Sequence, residues 1–213
     1  MILRRKTNND DGAEEVSADS GPASPVPAER SEGPWDITEV DVAGEQSYVD
    51  LGGMMVKGRP GFEVQIPPDP KTGDPAAVVF VNDEAALELR AFAAKRSGGL
   101  WEEVRSDIAG EAARLNGECE VRDGRHGSEL HLKVPGKTSE GADAVQPSRI
   151  VGVEGPRWFL RGTFYGKAAV EPDDDGLLES AFRDVVINRG DGPMAPREAL
   201  PITIPEGAVA KEA

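Results

Sequence analysis

The sequence predicts an α+β protein: an antiparallel sheet carrying at least two packed helices. Three observations lead there. Apolar and polar residues alternate over most of the stretch between Tyr48 and Asn188. One segment, Trp101 to Leu115, breaks that alternation with a helical period. Two further segments fold back on themselves so that the side chains match across a turn.

The short segments Tyr48–Leu51, Met54–Lys57 and Phe62–Ile66 are strands separated by Gly52-Gly53 and by Gly58-Arg59-Pro60-Gly61. A proline-rich loop, Pro67 to Pro75, leads to Ala77-Val78-Val79-Phe80-Val81, whose continuous apolar character fits a central strand. Leu87, Leu89, Ala91 and Ala93 alternate with Glu88, Arg90 and Phe92, again a strand, although the alanines also allow a helix. In the helix, Trp101, Val104, Ile108, Ala112 and Leu115 share one face, Ser97-Gly98-Gly99 leads in and Asn116-Gly117 ends it. A shorter helix follows Asp173-Asp174-Asp175, with Leu178, Ala181, Phe182 and Val185 as its stripe, and Val185–Asn188 is the last strand.

The first hairpin turns at Gly124-Arg125-His126-Gly127. Setting Arg122 against Glu129, Glu120 against His131 and Glu118 against Lys133 makes one face a ladder of opposite charges. The other face then pairs Val121 with Leu130 and Cys119 with Leu132. A slip of one residue destroys both patterns. The second hairpin turns at Gly155-Pro156, with Glu154 expected against Arg157, Val153 against Trp158, Gly152 against Phe159 and Val151 against Leu160.

Residues 1–34 read as a disordered acidic tail, because Ile2, Leu3, Val16 and Val26 are their only large aliphatics and cannot offset the entropy of ordering. Residues 35–190 form a single α+β domain. Residues 191–213 form a proline-rich C-terminal arm, whose Leu200-Pro201-Ile202-Thr203-Ile204 is apolar enough to dock at a sheet edge. With 24 basic and 39 acidic residues the net charge is −15, which argues against unspecific nucleic-acid binding and against an anionic membrane surface. A single cysteine, Cys119, excludes an internal disulfide and a cysteine-built metal site. No stretch is apolar for the ~18 residues that a membrane span needs, and no signal peptide follows the basic start, so the chain is expected to be cytoplasmic and away from membranes.

Few motifs carry chemistry. Gly136-Lys137-Thr138 resembles the end of a phosphate loop, but His131 stands where the first glycine belongs and a polar loop follows instead of a helix. Glu171-Pro172-Asp173-Asp174-Asp175-Gly176 resembles part of a calcium loop, but Phe182 stands where the bidentate acid belongs, so these acids read as complements to a helix dipole. His131 opposite Glu120 reads as a cross-strand pair, since Cys119 points to the other face. The one candidate site for a ligand or partner is Arg157, Phe159 and Arg161. They share one face of their strand, where cations between aromatics suit an anion or a stacked base. The competing structural role pairs these arginines with the helix acids Glu102, Glu103 or Asp107. No catalytic, metal or cofactor residues are assigned.

Phe92-Ala93-Ala94, Ser97-Gly98-Gly99-Leu100-Trp101, Gly155-Pro156-Arg157-Trp158-Phe159-Leu160-Arg161-Gly162, and Arg189-Gly190 followed by Pro193-Met194 resemble an uncharacterised actinobacterial family, a domain of unknown function. The resemblance covers about residues 35–205, with Lys95 where that family favours proline. It implies an intracellular protein whose gene often neighbours that of a dUTPase. The order of elements is also similar to the Mog1/PsbP-like sandwich, used mostly by non-enzymatic assembly and binding proteins. The expected function is a cytoplasmic, non-enzymatic interaction or regulatory domain with a protein partner. The alternative is a nucleotide- or phosphate-binding protein tied to nucleotide metabolism.

Overall fold

A computed structural model describes residues 31–69, 72–137 and 141–205. The expected N-terminal tail lies outside the described residues up to position 30, and the end of the arm lies outside from position 206. The elements run β1 (Trp35–Asp36), β2 (Tyr48–Asp50), β3 (Met54–Lys57), β4 (Glu63–Gln65), β5 (Val78–Val81), β6 (Ala85–Ala93), α1 (Leu100–Arg114), β7 (Glu118–Gly124), β8 (Gly127–Lys137), β9 (Asp143–Gly155), β10 (Trp158–Gly166), α2 (Lys167–Val170), α3 (Leu177–Arg183) and β11 (Val186–Ile187). The α+β class stands, in a sheet-dominated form.

The strands build two sheets where one was expected. Seven strands order as β4-β5-β6-β10-β9-β8-β7, every neighbouring pair antiparallel. A second sheet orders as β1-β11-β3-β2, and its β1–β11 pair is parallel. Parallel pairing arises because the two strands come from opposite ends of the domain, so no hairpin links them.

Alternation along β10 divides the large sheet's faces. Trp158, Leu160 and Phe164 point to one face and pack with Leu87 and Leu89 of β6, Phe80 of β5, Met54 and Val56 of the small sheet, and Leu178 and Phe182 of α3. On the other face α1 lays Trp101, Ile108 and Ala112 over Leu130, Leu132 and Ile150. Two glycines admit rings at these contacts. A Cβ on Gly152 would meet the Trp101 ring at 2.4 Å, and one on Gly162 would meet the Phe182 ring at 2.7 Å. From this face the Glu154 carboxylate caps α1, accepting from the Gly99 amide (2.9 Å) and the Trp101 amide. Gly99, at φ 86°, supplies the left-handed turn into the helix.

The first hairpin has the expected register, from Glu118 opposite Lys133 to Arg122 opposite Glu129. Two side chains depart from the ladder and the apolar face expected of that register. Arg122 bonds Glu120 of its own strand at 2.6 Å, while Glu129 turns inward to Arg149. Val121 is 55 % exposed: β7 is the edge strand, and α1 packs against Cys119 at its start but leaves Val121 uncovered. The second hairpin is shifted by two residues from the expected pairing: Gly155 opposes Trp158, Glu154 opposes Phe159 and Val153 opposes Leu160. Pro156 and Arg157 make its turn, with Arg157 at φ 63°. An even shift leaves each side chain on its expected face.

The C-terminal arm docks along β6 beyond the start of β5. Leu200 donates to the Ala91 carbonyl and Ala93 to the Glu198 carbonyl, so the arm flanks the last residues of β6. It then crosses to the small sheet, where Gly53 donates to Pro201 and Thr203 to Leu51, burying Leu200 and Ile202. No helix among the described residues is long and apolar enough to cross a membrane.

The two positions of one cross-strand pair are expected to differ sharply. Leu130→Ala, at a side chain with 0 % exposure, costs about 2–5 kcal/mol, whereas Val121→Ala stays within about 0.5 kcal/mol. Urea midpoints on dilute protein measure both, and equal shifts would contradict the placement of α1.

Candidate arginine site and the buried ion network

The three residues singled out from the sequence do not meet on one surface. Phe159 is buried between two aromatic neighbours, its ring stacked on Phe92 (6.0 Å) and on Trp101 (5.7 Å). Arg161 lies on the same face but farther along, 3.6 Å from Glu88, with its guanidinium over the Phe92 ring. Burial pushes the Arg161 guanidinium below its ordinary value, and the nearby Glu88 carboxylate opposes that shift. Glu88 also takes Arg90 at 2.7 Å, and Arg90 approaches Asp69 at 3.8 Å, so this part of the sheet face is closed by its own ion pairs. The helix acids proposed as arginine partners serve a different residue: Glu103 and Asp107 hold Arg197 of the arm, at 3.5 and 2.8 Å.

Arg157 sits apart, in the turn at the end of the sheet. Two arginines there occupy the left-handed backbone region that side chains rarely adopt, Arg157 at φ 63° and Arg197 at φ 73°. They flank the end of β6: the Arg157 carbonyl accepts from the Ala94 amide, and the Arg197 amide donates to the Ala93 carbonyl. A third arginine joins from the segment after β11. Arg157 Nη2 and Arg189 Nη1 both donate to the Gly190 carbonyl oxygen, at 3.3 and 3.1 Å. Two guanidinium groups thus converge on one neutral oxygen. Arg157 has a fully exposed counter-charge, Asp191, at 3.9 Å. Arg189 Nη1 also donates to the Gly192 carbonyl, and its Nε is buried without a hydrogen-bond partner, as are those of Arg59, Arg105, Arg149 and Arg161. Lys95 and Arg96, both exposed, follow Ala94 at the same end. Arg189 carried no signal as a site in the sequence. Only chain geometry brings it to Arg157.

The second polar feature is interior. Arg149 of β9 is 4 % exposed and lies between two buried carboxylates, Glu129 of β8 (3.0 Å) and Glu179 of α3. Its guanidinium stacks on Phe164 with 4.0 Å to the ring centre. Glu129 also holds His131 Nε2 at 2.6 Å. The bond expected between His131 and Glu120 therefore goes to Glu129, two residues away on the same strand. A cleft of about 280 Å³ borders His131 beneath α2, and another of about 190 Å³ borders Glu179 between α2 and α3. Two carboxylates against one guanidinium and one imidazole suit a fixed structural network, and each carboxylate is already engaged. Cys119, half-buried near this hairpin, has its thiol pushed up by burial, which leaves it a poor nucleophile. No group of three or more His, Cys, Asp or Glu among the described residues is arranged to hold a metal ion.

At the β7–β8 turn His126 packs edge-on to Phe182 with ring centres 5.2 Å apart. Burial pushes its imidazole below the ordinary value, an effect the Glu32 carboxylate only partly opposes.

The two polar interiors predict different behaviour. Arg149→Ala leaves two buried carboxylates uncompensated and is expected to cost about 3–5 kcal/mol. Replacing Arg149, Glu129 and Glu179 together by Met, Leu and Leu is expected to recover most of that loss in the same urea melt. For His126 the folded state binds its proton less readily than the unfolded chain. The stability it contributes is therefore complete above the ordinary value of 6.5 and is lost as pH falls below it. His126→Phe is expected to flatten the stability–pH profile between about pH 6.5 and 5, and an unchanged slope would mean that the imidazole is not held neutral.

No curated protein matches the chain. A family model does, over residues 33–211, from just before β1 through the docked arm. That span includes both sheets, the arginines at 157, 189 and 197, and the buried network. The chain belongs to the family described as "Protein of unknown function (DUF3710)".

Proposed function

We propose that this domain is a non-enzymatic, cytoplasmic protein-interaction module, and that it docks an acidic segment of a partner on the arginine end of its sheet. The convergence of Arg157 and Arg189 on the Gly190 carbonyl carries this reading. Like charges held together without a buried acid beside them favour an external carboxylate or phosphate oxygen, which accepts bidentate bonds from such groups. The left-handed backbone at Arg157 and Arg197 supports it too, since strain of this kind persists where surrounding structure over-determines it, often at recognition sites. The site is a turn at the end of a sheet, and both clefts described above lie elsewhere, which suits a partner's chain more than an enclosed small molecule. The non-enzymatic part rests on chemistry: the His131–Glu129 pair is tied to Arg149, and the thiol of Cys119 is held in its less reactive form. A Mog1/PsbP-like sandwich, which the order of elements resembles, would be a familiar scaffold for such a role.

A phosphate-bearing ligand is the second reading, favoured by the same two guanidinium groups and by the dUTPase neighbourhood that the family resemblance implies. In it Arg157 remains a contact, while Phe159 and Arg161 support the strand that presents it.

A titration followed by NMR separates the readings, with a Glu-rich peptide, inorganic phosphate and a nucleoside monophosphate as probes. Saturable shifts at Ala94, Arg157 and Gly190 with the peptide, abolished in Arg157→Ala/Arg189→Ala but retained in Arg161→Ala, are the expected result. Saturation by phosphate or the nucleotide alone would select the second reading. No response from any probe would sink both.

A further inference from the structure

We propose that two copies of this protein pair through the free edge of β7, joining their seven-stranded sheets across a two-fold axis. This surface is separate from the arginine end and does not depend on the reading given for it.

The hydrogen-bond pattern of the β7–β8 hairpin decides which backbone groups are available. Its two-residue turn closes on Gly124 and Gly127, which makes that pair a hydrogen-bonded one. Pairs then alternate, so Arg122, Glu120 and Glu118 spend their backbone groups on β8. Cys119, Val121 and Asp123 turn their N–H and C=O outward. β7 ends the strand order, so among the described residues no strand takes these groups. At seven residues it is long for an edge, whereas the opposite edge of the sheet, β4, has three.

An antiparallel second β7 can meet these groups in several registers, each placing outward residues opposite one another. Side-chain charge selects among them. With Val121 on the axis, Glu120 faces Arg122 of the second copy and Arg122 faces its Glu120, while Val121 meets Val121 on the other face. Sliding by one step in one direction sets Glu120 against Glu120. Sliding in the other sets Arg122 against Arg122. Both residues are more than half exposed, with side-chain values of 63 % and 54 %, and they already pair with each other along the strand. A second copy would turn that pair into a four-charge ladder. The 55 % exposed Val121 gains an apolar partner in the same arrangement. A surface that complements only itself, in one register, describes an isologous dimer interface.

Sedimentation of the full chain at increasing concentration is expected to show a monomer–dimer equilibrium that weakens with added salt. Val121→Pro removes an outward N–H that β8 does not use, so it is expected to melt like the parent yet remain monomeric. Glu120→Arg is expected to weaken dimerisation by ~10-fold or more, and Glu120→Arg/Arg122→Glu to restore it. In a Cys119→Ser background, Val121→Cys is expected to form an intersubunit disulfide on oxidation, because a hydrogen-bonded pair sets Cα atoms ~5.5 Å apart, within disulfide reach. Glu120→Cys is not. A parent monomeric at all concentrations would overturn the proposal, as would a dimer that survives both Val121→Pro and Glu120→Arg. Restoration failing in the charge swap, or cross-linking at position 120 in place of 121, would overturn the register.

Discussion

A buried indole–carboxylate bond holds the two sheets in place. Trp158 opens β10 at the centre of the large sheet and has no exposed surface, and its Nε1–H donates to Asp36 Oδ2 of β1 at 2.7 Å. Asp36 is itself buried, and its other oxygen accepts from the Thr38 amide and hydroxyl. A carboxylate in this position is tolerable only because its lone pairs are filled. Everything on that face of the sheet must then conform. β1 lies along β11, β11 along β3, and the small sheet closes over Phe164, Leu160 and Phe80. The ring also explains Gly155 opposite it, where a Cβ would come within 2.1 Å of the indole.

The large sheet's two faces then differ in what they can carry. Across most of one face the apolar interior is continuous, until it reaches β8 and β9, where Arg149 replaces an aliphatic. The replacement works because α3 brings Glu179 down from above while β8 brings Glu129 from the side. A guanidinium presents its donors in a plane and can serve two carboxylates and an aromatic face at once, which an ammonium cannot. The network therefore fixes the approach of a seven-residue helix too short to be stable alone.

Local pattern carried most of the architecture, and distance carried the rest. The register of β7 on β8 is legible because charge and apolarity alternate together over five positions, Glu118 to Arg122. The β9–β10 register lies two residues from the expected one, since Gly155-Pro156 and Pro156-Arg157 both suit a turn and either keeps Trp158 and Leu160 inward. Strand Val186–Ile187 was legible as a strand, but no local signal sends it to a separate sheet beside Trp35. Val121 reads as core from its neighbours, and only the strand's position at the edge exposes it. The site divides the same way. Arg157 stood out by its setting among aromatics, whereas Arg189 is one of many arginines until the chain after β11 folds back onto Gly190.

The placement of charge follows from how much of the sheet is covered. α1 takes the β7–β9 end of one face, while α3 and the small sheet take the other, and the strip of the first face around Arg161 is closed by Glu88, Arg90 and Asp69. What a covered sheet still offers is its ends and edges. In a chain of net charge −15 most cations are drawn to nearby acids, as Arg197 is to Glu103 and Asp107. A pair of arginines that shares a neutral carbonyl, with only an exposed aspartate near one of them, is electrostatically unfinished, and so is an edge strand whose exposed Glu120 and Arg122 pair along their own strand. Both lie on the rim, where a partner can reach them without disturbing the packing that the buried Trp158–Asp36 bond enforces.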